Sequence, residues 1–269
     1  MIRCSGLSYR YPNGQGIHDI HISIPHDSIY LLAGMNGSGK STLLKVLAGG
    51  LKNYAGSITM NGADIEQTRT KKNRTFTVAL SPQQPETQFS LPTVLEEMRF
   101  TAHAIKQPVD TGLESELLEL LQLKPYLKSS PFDLPPVKRK LLSLAIAAVI
   151  PSPFIALDEP TAGIDRDHKP TVLQFIDFLH THNKGVIIVS HDLDTFLPFA
   201  THVGMMHNGT IRESTTTGSF LNNLVRGAYE TEIARPFIIP RMARFLIKKP
   251  ASSVDELAGI IIQSTKEKY

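Results

Sequence analysis

The hydrophobic patterning of Ile2 to Tyr9 and of Ile17 to Ile24 predicts two strands, separated by the turn Pro12-Asn13-Gly14. Ser28-Ile-Tyr-Leu-Leu-Ala33 reads as a buried strand, and Ser41 to Ala48 as a helix. Gly56 to Met60 predicts a strand that enters a hairpin turn at Asn61-Gly62, and Thr75 to Leu80 another strand. From about Thr93 to Val149 strand signals vanish. Leu113 to Leu123 and Ser143 to Ile150 show helical apolar spacing instead, so a helical block is inserted at about 90–150. Phe154 to Leu157 and Gly185 to Ser190 then predict buried strands, with an amphipathic helix at Thr171 to His180 between them. Buried strands alternating with helices imply an α/β fold, with a mostly parallel sheet covered on both faces.

The pattern loosens around Leu221 to Arg235, and the tail is distinct. Ile238, Met242, Phe245 and Leu246 share one helical face. Ser253-Val-Asp-Glu256 forms a capping box ahead of Leu257, Ile260 and Ile261. Two short helices therefore close the chain, with Arg241, Arg244, Lys248 and Lys249 on a solvated face. The expected division is a main domain over 1–222 and a small helical one over 223–269.

The most specific chemistry lies between the buried strand and the first helix. Residues Gly34-Met35-Asn36-Gly37-Ser38-Gly39-Lys40-Ser41 fit G-x-x-x-x-G-K-[ST] at every fixed position. Strand, glycine loop and helix together form the context in which this motif binds phosphate. The glycines let backbone N–H groups curl around phosphate oxygens, and the helix N-terminus adds partial positive charge. Lys40 is expected to reach the outer phosphates of a nucleotide, and the Ser41 hydroxyl to bind Mg²⁺.

A second half of such a site lies far along the chain. Asp158 and Glu159 end an apolar strand 118 positions after Lys40 (158 − 40). Parallel sheets place ligands at the C-terminal ends of strands. Asp158 there can join the Mg²⁺ shell, and Glu159 can polarise an attacking water. His191, in Val189-Ser-His-Asp192, ends the next buried strand and can touch a γ-phosphate. Gln83, in Pro82-Gln83-Gln84-Pro85-Glu86, is an amide placed to sense Mg²⁺ and the attacking water. Tyr11 can stack on adenine or serve as a plain strand-end aromatic. The other histidines lack the spacing of a tetrahedral metal site.

Composition narrows the setting. With 269 residues and 41% apolar side chains, the chain can bury a sizeable core. A net charge of +3 gives no argument for nucleic acid, and none is expected among the partners. The single cysteine, Cys4, excludes an internal disulfide and reads as a small strand residue. The apolar run from Leu141 stops at Pro151, far short of the roughly 20 residues of a membrane span. A soluble chain seated on a membrane protein is expected.

The order of these segments resembles the ATP-binding cassette (ABC) ATPases over about Met1 to Leu221. Tyr11 resembles that family's adenine-stacking aromatic, and Gly34 to Thr42 its phosphate loop. Gln83 is similar to its glutamine loop, Asp158-Glu159 to its acidic motif, Thr161-Ala-Gly-Ile-Asp165 to its D-loop and His191 to its switch histidine. The resemblance implies an ATPase using ATP and Mg²⁺, with the helical block facing a membrane partner. Gln83-Gln-Pro-Glu-Thr-Gln-Phe89 resembles Q-N-P-x-x-Q-[LF] of energy-coupling factor (ECF) importers and related cobalt/nickel systems. It implies that Gln88 sits in the groove for a coupling helix of the transmembrane subunit, with a substrate-binding membrane subunit engaged only indirectly. The tail, Pro236 to Ile262, resembles a small domain that holds two ATPase subunits together. The implied location is peripheral, on the cytoplasmic face of the membrane.

One motif departs. Where the family has L-S-G-G-Q, this chain has Leu134-Pro-Pro-Val-Lys138. In the family that loop closes over ATP held by the other subunit, through a serine hydroxyl and glycine N–H groups. Pro135 and Pro136 carry neither, and Lys138 offers a charge in their place. The expectation is a heterodimer whose partner has an intact signature. A non-transport ABC ATPase acting on ribosomes or DNA and a non-hydrolysing scaffold are the competing readings. The cargo, a vitamin or a metal ion, has no signal in the chain.

Overall fold

The structure, a computed structural model, describes residues 1–68, 78–105 and 108–225. In chain order it comprises β1 (Ile2–Arg10), β2 (Gly16–Ile24), β3 (Ile29–Ala33), α1 (Lys40–Leu47), β4 (Ala55–Met60), β5 (Ala63–Asp64) and α2 (Ile65–Thr68). There follow β6 (Val78–Ser81), α3 (Val94–Ala104), α4 (Thr111–Leu120), α5 (Pro136–Val149) and β7 (Phe154–Asp158). The last elements are α6 (Lys169–Thr181), β8 (Gly185–Val189), α7 (Leu193–Phe196), β9 (His202–His207), β10 (Thr210–Thr216) and α8 (Thr217–Val225).

Among the described residues the strands form two sheets. One is antiparallel, in the order β2-β1-β4-β5. The other runs β10-β9-β3-β8-β7-β6, with every pairing parallel except β9 with β10. Both faces of the parallel strands are buried, and their side chains divide by parity. Leu31, Ile155, Leu157, Val186 and Ile188 face a core shared with α5 and α6. Tyr30, Leu32, Phe154, Ala156, Ile187 and Val189 face a second core shared with α1 and the antiparallel sheet. The expected α/β architecture, with a helical block between β6 and β7, is the one observed.

Turn chemistry explains the hairpins. Asn61 and Gly62 both have positive φ, +52° and +86°, and Met60 pairs with Ala63 across them. Asn208 and Gly209, at +46° and +80°, close β9 onto β10 in the same way. Elsewhere the sequence pattern misleads. Helix α5 begins seven residues before the apolar spacing that starts at Ser143, because Lys138 and Lys140 interrupt that spacing yet are buried. Pro136 at the first helical position presets the entry φ. Only the part of the Thr75–Leu80 strand from Val78 lies among the described residues, and the two closing helices expected around Ile238 to Leu246 and after Ser253 lie outside them; α8 runs into the stretch from Leu221 where the pattern loosens. Cys4 sits buried in β1, where burial pushes its thiol up to about 12 and leaves it a packing residue. No helix among the described residues is long and apolar enough to cross a membrane.

Two glycines test the packing with opposite signs. A Cβ at Gly204 would stand 2.5 Å from the hydroxyl of fully buried Tyr30, which is held 2.7 Å from Ser214 Oγ. Gly204→Ala is expected to destabilise by about 1–3 kcal/mol in urea denaturation. Gly218, in α8, has open space around it, so Gly218→Ala is expected to be neutral or stabilising by about 0.4–1 kcal/mol.

Candidate functional site

The site forms where β3, β6, β7 and β8 end together. Leu32 pairs with Val189 on one side of β8, and Asp158 pairs with the same Val189 on the other. The loop after β3 therefore emerges level with the end of β7. It is shaped by three glycines in conformations that L side chains rarely adopt: Gly34, Gly37 and Gly39 have φ of +145°, +79° and +103°. A Cβ on Gly34 would meet the Met206 carbonyl oxygen at 2.2 Å, so the loop presses directly on β9. The Asn208-Gly209 turn braces it further: Gly209 N–H donates to Ser38 O at 2.9 Å, and His18 N–H donates to Gly209 O at 2.8 Å.

Within this frame the two halves of the site meet. The Ser41 hydroxyl donates to Asp158 Oδ1 at 3.1 Å. The Lys40 ammonium lies folded over the loop, donating to the carbonyls of Gly34 at 2.7 Å and Met35 at 2.8 Å. Burial holds the Lys40 ammonium below the usual lysine range, opposed by Glu159 and Asp158. Burial also raises the Asp158 carboxyl. The Ser41 hydrogen bond opposes that rise, Glu159 adds to it, and Lys140 and Lys45 oppose it.

Glu159 follows the strand with φ +48°. Its N–H donates to Val189 O at 2.8 Å. Its carboxylate accepts from Ser190 Oγ at 3.1 Å, from the His191 N–H at 3.1 Å and from His191 Nδ1 at 2.9 Å. The Glu159 side chain is 9% exposed and that of His191 68%, so the histidine reaches out from an anchored carboxylate.

A cleft of about 390 Å³ opens in front of these groups, within the range of small-molecule sites. Tyr11, Asn36, Gly37, Gly39, Lys40, Ser41, Thr42, Gln83 and Glu159 line it. Gly34, Met35 and Ser38 are not on its wall, nor are Asp158, which is in contact with Ser41, and His191, which contacts Glu159. Tyr11 packs edge-on against Tyr9, centroids 5.0 Å apart. Gln15 and Gly16 also line the cleft, although the sequence marked that stretch only as a turn.

Comparisons with known proteins identify the family and the fold. The family described as ABC transporter matches residues 17–162, more than half of the chain. The chain belongs to the ABC transporter family. One relative, the energy-coupling factor transporter ATP-binding protein EcfA2 of Staphylococcus aureus strain bovine RF122 / ET3-1, is 31% identical over 251 residues, 88% of this chain and 87% of that protein. The protein of the same description from strain USA300 is 32% identical over 228 residues, covering 80% of this chain and 79% of its own. A solved structure described as the ATP-binding subunit of an ABC transporter superposes with a TM-score of 0.72 at 21% identity, covering 91% of this chain and 99% of that one. The structure of cbiO1 from Clostridium perfringens, described as part of the ABC transporter complex cbiONQ, superposes with a TM-score of 0.69 at 21% identity, covering 91% and 98%. Those two likenesses speak for the ABC cassette fold.

Against the family pattern, the signature loop of this ABC ATPase is rebuilt. Pro135 caps α5 with no side-chain hydrogen bond, and Pro136 is its first residue. Lys138, expected to offer a charge there, points the other way. Its ammonium turns back into the helical block, donating to Gln122 Oε1 at 3.1 Å and the Leu121 carbonyl at 3.5 Å, beyond the C-terminus of α4. A helix C-terminus attracts a cation, which explains the preference. The sequence reading also missed Ser190, which anchors Glu159, and Lys140. The Lys140 ammonium donates to the carbonyls of Pro82, Gln83 and Asp158. Burial lowers it to about 8, opposed by Asp158, Glu159 and Glu86. A lysine four positions after a helix start carries no sequence signal of this kind.

Because Lys138 points inward, Lys138→Met is expected to leave ATPase turnover within about twofold. A tenfold or larger loss, measured in a steady-state phosphate-release assay, would show the charge at work on nucleotide.

Proposed function

We propose that this chain hydrolyses ATP to drive an ECF-type importer, as one cassette of an asymmetric pair on the cytoplasmic face of the membrane. The observation that carries the reading is the contact of Ser41, which lines the cleft, with Asp158; that contact joins the phosphate loop to the acidic strand.

The chemistry follows from the side chains in place. The phosphates nest against the N–H groups of the glycine loop and the α1 N-terminus. Lys40 transfers its hydrogen bonds from the Gly34 and Met35 carbonyls to the outer phosphate oxygens. Tyr11 stacks on adenine. Glu159 orients and polarises the attacking water and takes up its proton, while His191 holds Glu159 and reaches the γ-phosphate. Gln83 lines the same cleft and senses the water. The Ser41 hydroxyl, the Asp158 carboxylate and the Gln83 amide are hard oxygen donors that suit Mg²⁺, which prefers a few such ligands plus water and phosphate. Bound there, Mg²⁺ supplies neutralisation of phosphate charge.

The partners are inferred from two surfaces. The stripped signature supports pairing with a second ATPase subunit of intact signature. A γ-phosphate facing Pro135 and Pro136 lacks charge-assisted donors worth roughly 1.5–3 kcal/mol each. ATP held by this chain is then hydrolysed, and ATP held by the partner is mainly retained. Toward the membrane, the Gln88 amide nitrogen is buried with no hydrogen-bond partner among the described residues, next to Phe89, which packs edge-on against half-exposed Phe132. Such a group suits a coupling helix of the transmembrane subunit, with the substrate-binding subunit reached through it. The named relatives, ECF transporter ATP-binding proteins and a component of cbiONQ, support this assignment.

The test is ATPase turnover of the purified chain alone and of the complex that co-purifies with it. The chain alone is expected to run at least tenfold more slowly, and Glu159→Gln in the complex to abolish most turnover. Full activity of the homodimer removes the asymmetric pairing. Unchanged turnover in Glu159→Gln removes hydrolysis by this chain.

A further inference from the structure

Lys140 is a buried charge that the nucleotide cleft does not use. It is 3% exposed and is not on the cleft wall. Its ammonium donates to three backbone carbonyls, Pro82 at 3.0 Å, Gln83 at 3.3 Å and Asp158 at 3.1 Å. An ammonium has three protons, so these bonds saturate it.

The three carbonyls are not equivalent. Two belong to the loop that carries Gln83. The third belongs to the peptide that joins Asp158 to Glu159. That peptide is planar, and it is held at both ends: its oxygen by Lys140, and its N–H by the Val189 carbonyl at 2.8 Å. The next backbone torsion is the φ of +48° at Glu159, where a residue with a side chain is uncommon. A peptide fixed at both ends launches the Glu159 side chain in one direction, toward Ser190 and His191.

The same stretch of α5 is fastened nearby. The Arg139 guanidinium pairs with Glu86 at 3.0 Å, and the Ser143 and Ser81 hydroxyls lie 2.8 Å apart in the interior. The end of β6, the glutamine loop and the end of β7 are therefore tied to one turn of one helix. That helix starts with the rebuilt signature loop.

We infer that Lys140 is a positioning residue for ATP hydrolysis, its ammonium holding the Asp158–Glu159 peptide and the glutamine loop in one frame with α5. This rests on the reading that Glu159 and Gln83 act on the attacking water. Lys140 is not on the cleft wall and acts through the groups it holds. Losing it displaces those groups, and small displacements of such groups cost rate more than affinity.

The experiment uses the complex that co-purifies with the full chain. ATPase kcat and KM are measured for wild type, Lys140→Met, Lys140→Arg and Glu159→Gln, alongside the Kd of the purified full chain for a fluorescent ATP analogue. Lys140→Met is expected to lower kcat roughly tenfold to a hundredfold, with KM and Kd within about twofold. Lys140→Arg, which keeps a charged multiple donor, is expected to recover most of the rate. Lys140→Gln, which is uncharged but keeps a hydrogen-bond donor, replaces Lys140→Met if the latter does not fold. The inference is overturned if the uncharged variant keeps its rate while Glu159→Gln loses it. It is equally overturned if affinity falls in step with kcat, because the lysine then only holds the fold. If Glu159→Gln itself leaves turnover unchanged, the hydrolytic reading fails first and takes this inference with it.

Discussion

The site depends on a register. Val189 of β8 has Leu32 on one side and Asp158 on the other, so β3 and β7 end at the same level although they are not neighbours. Strands in a sheet are about 4.8 Å apart, so the two ends lie about 10 Å from each other. The glycine loop and the first turn of α1 span that gap, and the Ser41 hydroxyl completes it with a hydrogen bond to Asp158. A shift of one residue in β7 would turn Asp158 to the other face of the sheet and separate the two halves.

Charge is concentrated at this edge in buried side chains. Lys40, Lys140, Asp158 and Glu159 are all buried, and each has hydrogen-bond partners. Such groups are costly to leave unpaired, and the structure meets that cost mainly with backbone carbonyls and N–H groups. The two lysines divide the work. Lys40 rests on carbonyls of the loop that it can exchange for phosphate oxygens, whereas Lys140 is committed to three carbonyls behind the acidic strand. The rebuilt signature starts α5, the helix that carries Lys140, so the loop that departs from the family pattern is continuous with the lysine behind the acidic strand.

Much of this was legible in the sequence because it depends on local rules. A glycine loop between a buried strand and a helix, an apolar strand ending in two carboxylates, and Asn-Gly turns are short patterns with physical causes. The second Asn-Gly turn, at Asn208-Gly209, carried the same signal as the first, and reading it would have revealed the β9–β10 hairpin behind the phosphate loop. What stayed hidden depends on contacts between distant residues. Nothing near Lys138 says that its charge turns toward the end of α4, and nothing near Lys140 says that its ammonium meets Asp158. In both cases a charged residue inside an apolar pattern looked like the edge of a helix, when it was a buried group with fixed partners. The cleft itself is assembled from five separate stretches of chain, around Tyr11, Ser41, Gln83, Glu159 and Val189, and no single local pattern brings all five together.

The central claim is that Ser41 and Asp158 complete one metal–triphosphate pocket. Binding of Mn²⁺·ATP to the full chain, followed by electron paramagnetic resonance with Mn²⁺ in place of Mg²⁺, tests it most directly. Ser41→Ala and Asp158→Asn are each expected to weaken binding of the metal complex about tenfold or more while leaving metal-free ATP binding nearly intact. Wild-type affinity for Mn²⁺·ATP in both variants would contradict the account.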